Sequence, residues 1–213
     1  FERLELTGSN TVALGTDANT AGLSAVKIGS GTTSITKTHV SALTIDAQDL
    51  ANDTTLTIND DGVTSNFTVN NLVGDLDALG VAGTLIVDLN DNQADGTISL
   101  EIGIGDTTVS GGAADDNVFI TMTDAAQPAD GTIQIVDLSN NQSNFVVDLG
   151  GGRQTVKLGV GVYTIDAGAG DTTGFDRIEM TTVGSASANI DLSGSDADVA
   201  ARITSIENYT VDL

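Results

Sequence analysis

The chain has no cysteine and no tryptophan, a single proline (Pro128) and only 3% aromatic residues among its 213 positions. Disulfides are therefore excluded, and an exported form must be stabilised by something else. With so few large rings, a core has to be filled by Val, Ile, Leu and Thr, which suit the thin interior of a stacked coil. Basic residues are also scarce: seven Lys and Arg face thirty Asp and Glu, for a formal net charge of −23. No basic stripe exists, so nucleic acid is not a partner. No apolar run is long enough to span a bilayer. The one histidine, His39, stands beside Lys37 in the Thr-rich stretch Thr36–Ser41 and reads as a surface residue rather than a base. With no Gly-x-Ser-x-Gly elbow and no HExxH, a non-enzymatic role is expected. Paired acids such as Asp115/Asp116 would suit a polysaccharide-cleaving β-helix, but the aromatic groove such enzymes use is lacking.

Glycine and aspartate are abundant. There are 25 glycines, and only five of the thirty acids are Glu. A generally solubilising, halophile-like surface would use both acids, whereas Asp favours turns and ligates calcium there. Three Gly-x-Gly pairs, Gly150/Gly152, Gly159/Gly161 and Gly168/Gly170, recur every nine residues, and Val156 and Ile165 keep the same step. A weaker beat runs through Ala94/Gly96, Gly103/Gly105 and Gly112/Ala114, with Leu100, Val109 and Val118. Glycine turns alternating with short apolar strands indicate a β-roll. The expected fold is all-β, a right-handed parallel β-helix or β-roll solenoid with irregular rungs and one or two short helices.

Residues 1–83 read as an irregular β-solenoid or β-rich segment. Short alternating strands around Leu4, Val26, Leu43, Leu56 and Val69 are separated by polar turns. Residues 84–213 read as a β-roll or β-helix segment, continuous with the first, with nonapeptide clusters at 94–119 and 148–176. The leucines at 72, 76 and 79 in Leu72–Gly83 have helical spacing, which suggests a helical turn or a connecting segment. Residues 195–205 are the best helix candidate, with Ser195 as N-cap. Two internal echoes stand out. Ile86–Gln93 recurs as Ile135–Gln142, and Phe1–Thr7 recurs as Phe175–Thr181, which suggests a piece of a longer repetitive protein. Sequons occur at Asn52, Asn66, Asn141 and Asn208.

Calcium ligands are expected where acids meet these turns. The best match to Gly-Gly-x-Gly-x-Asp-x-(apolar)-x is Gly111–Phe119, with Asp116 at the ligand position beside Asp115 and Asn117. Asp106 lies one turn earlier. In the second cluster the ligand positions hold Gln154, Tyr163 and Thr172, so the acids left for metal are Asp166, Asp171 and Asp176. Asp91 and Asp95 are secondary candidates. These Asp residues also suit a purely turn-shaping role.

The glycine–Asp nonapeptides resemble those of RTX proteins. Phe1–Gly8 (FERLELTG), Gly174–Met180 (GFDRIEM) and the run from Leu23–Ile28 to Ala42–Asp46 look like the crystalline-lattice domain of RTX-type bacterial surface-layer proteins. The resemblance implies type I secretion, an extracellular cell-surface location and Ca²⁺ as cofactor. It also implies self-assembly into a lattice or filament, with any cell-surface polysaccharide held by a domain outside this stretch. A repeat segment of a large RTX adhesin, binding a surface glycan or protein, fits the same motifs.

Overall fold

The computed structural model describes residues 3–39, 41–61, 64–90, 96–112, 117–122, 134–141, 144–149, 154–159 and 162–166 with their side chains, and the strand backbones at 177–181, 187–191, 200–204 and 208–212. Among the described residues, twenty short strands follow one another. The first ten are β1 (Arg3–Glu5), β2 (Asn10–Leu14), β3 (Ala25–Lys27), β4 (Thr33–Lys37), β5 (Leu43–Asp46), β6 (Thr55–Asn59), β7 (Phe67–Leu72), β8 (Asp75–Gly80), β9 (Leu85–Leu89) and β10 (Thr97–Ile102). The remainder are β11 (Thr107–Gly111), β12 (Asn117–Met122), β13 (Gln134–Asn141), β14 (Asn144–Asp148), β15 (Gln154–Leu158), β16 (Val162–Asp166), β17 (Arg177–Thr181), β18 (Ser187–Asp191), β19 (Ala200–Thr204) and β20 (Asn208–Asp212).

Odd-numbered strands β1 to β15 form one eight-stranded sheet, and the even-numbered strands form a ten-stranded sheet. β17 and β19 pair separately, with β17 packed beside β15. Every pairing is parallel and joins a strand to the next but one, so each turn of the chain adds one strand to each sheet. This is a two-sheet parallel β-solenoid. The nine-residue beat now has a geometric meaning. Val156 lies on β15 and Ile165 on β16, so one beat carries the chain from one sheet to the other. Two beats close a turn: Phe145 pairs with Tyr163, eighteen residues on. Elsewhere the turns are irregular, as when Asn117 pairs with Asn144.

Alternation follows from the pleat. On β10 the pattern places Ile98, Leu100 and Ile102 inside and Thr97, Ser99 and Glu101 outside. Inward side chains then stack from turn to turn. Val26, Ile45, Val69, Val87 and Val109 form one such ladder, and Leu56, Leu76, Leu100, Ile120, Val147 and Ile165 form another. The buried cluster runs unbroken from Leu14 to Ile165, and β8–β10 and β7–β9 pair across residues 83 and 84.

Neither expected helix forms within the described residues. Leu72–Gly83 holds the end of β7 and all of β8, with Leu76 and Ala78 buried and Leu79 exposed. Its leucine spacing is helical by coincidence of a strand end, a turn and a strand. Residues 200–204 are β19, in register with β17, so ladder pairing overrides the local helix preference there. Residues 195–199 lie outside the described set. The one described helix, α1 (Thr16–Thr20), is a five-residue polar turn without a side-chain cap and has no apolar period to reveal it.

Candidate functional site

The glycine corners come first, because the sequence placed metal there. A Cβ at Gly105 would run into the Gly83 carbonyl, and one at Gly103 into the Val81 carbonyl. At Gly159 it would come within 2.6 Å of Asn141 O and 2.8 Å of Leu138 O. The beat is therefore set by backbones of successive turns approaching too closely for any side chain. Buried amides serve the same corners. Gln134 Nε2 donates to Gly103 O at 2.7 Å and Gly105 O at 2.9 Å, and the Asn141 amide donates to Val109 O. Gln154, at a nominal ligand position, is buried and donates to Leu149 O at 3.4 Å. Tyr163, at the next, is wholly buried, stacks on Phe145 at 5.5 Å and accepts from Gly159 N at 2.9 Å. Burial pushes its hydroxyl up to about 12, and the hydrogen bond from Gly159 offsets only part of this. Where a metal would gather corner carbonyls, an amide N–H₂ does so here.

Among the sequence-predicted ligands, Asp106 clasps two turns: its Oδ1 accepts from Ile135 N at 2.9 Å and its backbone oxygen from Leu85 N at 2.9 Å. This is the turn-shaping role. Asn117 is exposed at the start of β12, in register with Thr97 and Asn144. Asp91, Asp95, Asp115, Asp116, Asp171 and Asp176 lie outside the described residues. Among the described residues, no three His, Asp or Glu side chains converge on one point.

Asp166 belongs to a different arrangement, which strand pairing alone reveals. It is exposed at the end of β16, in register with Asp148 on β14 and with the Asp191 position on β18, which in turn matches Asp212 on β20. The same column continues backward through Thr121, Glu101 and Asp77. Four aspartate positions thus follow one another at the strand spacing of about 4.8 Å. The even strands hold seven acids, and their only basic residue is Lys37, which points inward. The odd strands, β17 and β19 included, hold five acids and five basic residues. Four ion pairs lie on the odd side: Lys27–Asp49 at 2.8 Å, Lys157–Asp137 at 2.9 Å, and Arg3 with Glu5 and Asp46. At Asp137, burial alone would raise the carboxyl, but hydrogen bonds from Ser139 and Lys157 outweigh it and hold the group below its usual range.

The second site the sequence misread is inside the coil. Lys37 and His39 are buried, at 0% and 8% exposure, so His39 is not on the surface as expected. Lys37 is the inward residue at the end of β4, the same parity as Thr33 and Ile35. Its Nζ lies 4.8 Å from the centre of the Phe67 ring and has no hydrogen-bond partner; His39 Nδ1 has none either. Asp60, also buried, is tied to Ser65 N at 3.2 Å and Ala82 N at 3.0 Å, while Ser65 Oγ donates to His39 O at 2.7 Å. Desolvation lowers the Lys37 amine to about 8, partly offset by Asp60. Desolvation and Lys37 together lower His39.

The fold is a parallel β-solenoid whose odd-numbered strands carry both charge signs and whose even-numbered strands carry acids with no outward basic residue. No family model, no curated protein and no solved structure matches the chain.

Proposed function

We propose that this chain is a structural, non-enzymatic extracellular protein, a calcium-stabilised solenoid that assembles with further copies into a surface array. The observation that carries the reading is the in-register ladder of Asp148, Asp166, Asp191 and Asp212. Like charges one strand spacing apart repel by about 1 kcal/mol even in water, and directly opposed like charges weaken a sheet. Divalent cations offset that repulsion in the folded state, while the unfolded chain offers no such alignment, so folding and metal binding are coupled. A chain of this charge would remain loosely folded where free calcium is scarce and tighten where it is plentiful, which suits export followed by folding outside. Self-assembly is supported by the repetitive sequence and by the apolar side chains exposed on the acidic sheet.

The test is melting followed by circular dichroism with millimolar calcium and with excess chelator, alongside light scattering and negative-stain microscopy. Calcium should raise the melting temperature and promote particles of regular form, and chelation should reverse both. Indifference of both readouts to chelation would rule the mechanism out.

A further inference from the structure

We propose that Lys37 and Asp60 condense into an amide, a covalent staple between two successive turns of the coil. Register sets them side by side. Thr36 on β4 pairs with Asn59 on β6, so the residues that follow, Lys37 and Asp60, are stacked neighbours on adjoining turns. Both are buried. Leu14 stands before them in the same column and Val81 after them, so the two ionisable groups lie between apolar side chains. Side chains of parallel neighbours leave the backbone about 4.8 Å apart, a gap that the flexible four-carbon stem of a lysine spans with length to spare. Lys37 Nζ has no hydrogen-bond partner and lies 4.8 Å from the centre of the Phe67 ring. No hydrogen bond has to break for it to swing to the Asp60 carboxyl.

The carboxyl is held for acyl transfer. Asp60 Oδ2 accepts from Ser65 N at 3.2 Å and Ala82 N at 3.0 Å, two fixed donors for the charge that gathers on that oxygen when an amine adds to Cγ. Ser65 Oγ donates to His39 O at 2.7 Å, which ties His39 to the same corner, and His39 Nδ1 is buried without a partner. Desolvation lowers Lys37 to about 8, so the neutral, nucleophilic amine is accessible near neutral pH, and His39, lowered as well, is a neutral base there. In the reaction Nζ bonds to Cγ and the Cγ–Oδ1 bond breaks. Two of the three ammonium protons leave with Oδ1 as water, one of them by way of His39, and Oδ2 stays as the amide oxygen. An unpaired ammonium and a carboxylate are costly to bury, and the amide removes both charges. Fixing the pair in one fold replaces a chance encounter, and burial keeps out the water that would reverse the step. In a chain without cysteine, closing residues 37 to 60 into a ring does what a disulfide would do. Before closure Lys37 titrates as a buried amine, and after it neither group titrates. The staple does not rest on the calcium reading, and a chain indifferent to chelation still forms it.

The test is the intact mass of the whole chain, at isolation and after incubation at about pH 9, where the Lys37 amine is neutral. Wild type should be lighter than its sequence by one water, and digestion should release one branched peptide that joins Lys37 to Asp60. Succinimide formation at an Asp-Gly pair such as Asp61-Gly62 loses the same mass, but hydroxylamine opens a succinimide and leaves an amide intact. The loss should therefore survive hydroxylamine. Lys37→Met and Asp60→Ala, each with native circular dichroism, should keep their full mass under the same treatment. If a variant does not fold, the branched peptide from wild type still decides. An unchanged wild-type mass after incubation, a loss that hydroxylamine reverses, or the same loss in Lys37→Met overturns the proposal.

Discussion

Lys37 is buried without a hydrogen-bond partner, and its environment holds the amine near 8 rather than 10.5. Below pH 8 both folded and unfolded chains carry the proton, and the cost of burying the cation is fully felt. Between 8 and 10.5 the unfolded chain still binds the proton and the folded chain has lost it, so stability rises with pH. Tyr163 works the other way, because its raised value means the folded chain keeps a proton that the unfolded chain releases above 10. Stability contributed by these two groups should therefore climb from pH 8, crest near pH 10 and fall toward 12, as read by urea midpoints across that range. Lys37→Met should remove the rising limb and raise stability at pH 7 by about 1–3 kcal/mol. Gln134→Ala should cost about 1–3 kcal/mol, because the carbonyls of Gly103 and Gly105 lose their donor. The glycine beat was legible in the sequence, but its cause was not. The near contact of Gly105 with the Gly83 backbone depends on which turns stack, and that is fixed by pairing, not by the nonapeptide. Lys37 illustrates the same gap: only the parity of β4, with Thr33 and Ile35 inward, shows that a cation enters the core.

Strands obey a two-residue period against neighbours already in place, and this overrode both helix expectations. Leu76 is 1% exposed and Leu79 is 42% exposed, although a helix would place both on one face. Leu76→Asp should prevent folding or cost more than about 4 kcal/mol, whereas Leu79→Asp should stay within about 0.5 kcal/mol of wild type in chemical denaturation. Comparable losses at the two positions would contradict the register of β8. Strand existence and the fold class were readable because short alternating runs and polar turns persist along the chain. Rung length was not, because a turn of eighteen residues between Phe145 and Tyr163 and a longer one between Asn117 and Asn144 fit the same stack. The echo of Phe1–Thr7 in Phe175–Thr181 does fall on strands of the same parity, β1 and β17.

At the scale of the whole molecule, the solenoid separates its charge. Ion pairs of Arg3, Lys27 and Lys157 lie on the odd side, and Asp148, Asp166, Asp191 and Asp212 fall in register on the even strands. No inspection of spacing could have revealed the Asp148–Asp166–Asp191–Asp212 column, because its members are 18, 25 and 21 residues apart and only pairing aligns them. The proposed coupling of this column to a divalent cation is read by a calcium titration of the melting temperature in wild type and in Asp148→Asn/Asp166→Asn. Wild type should gain several degrees with saturating calcium, about 2–4 °C for each kcal/mol of coupling. The variant should gain much less. Equal gains in the two proteins, or none in either, would contradict the account.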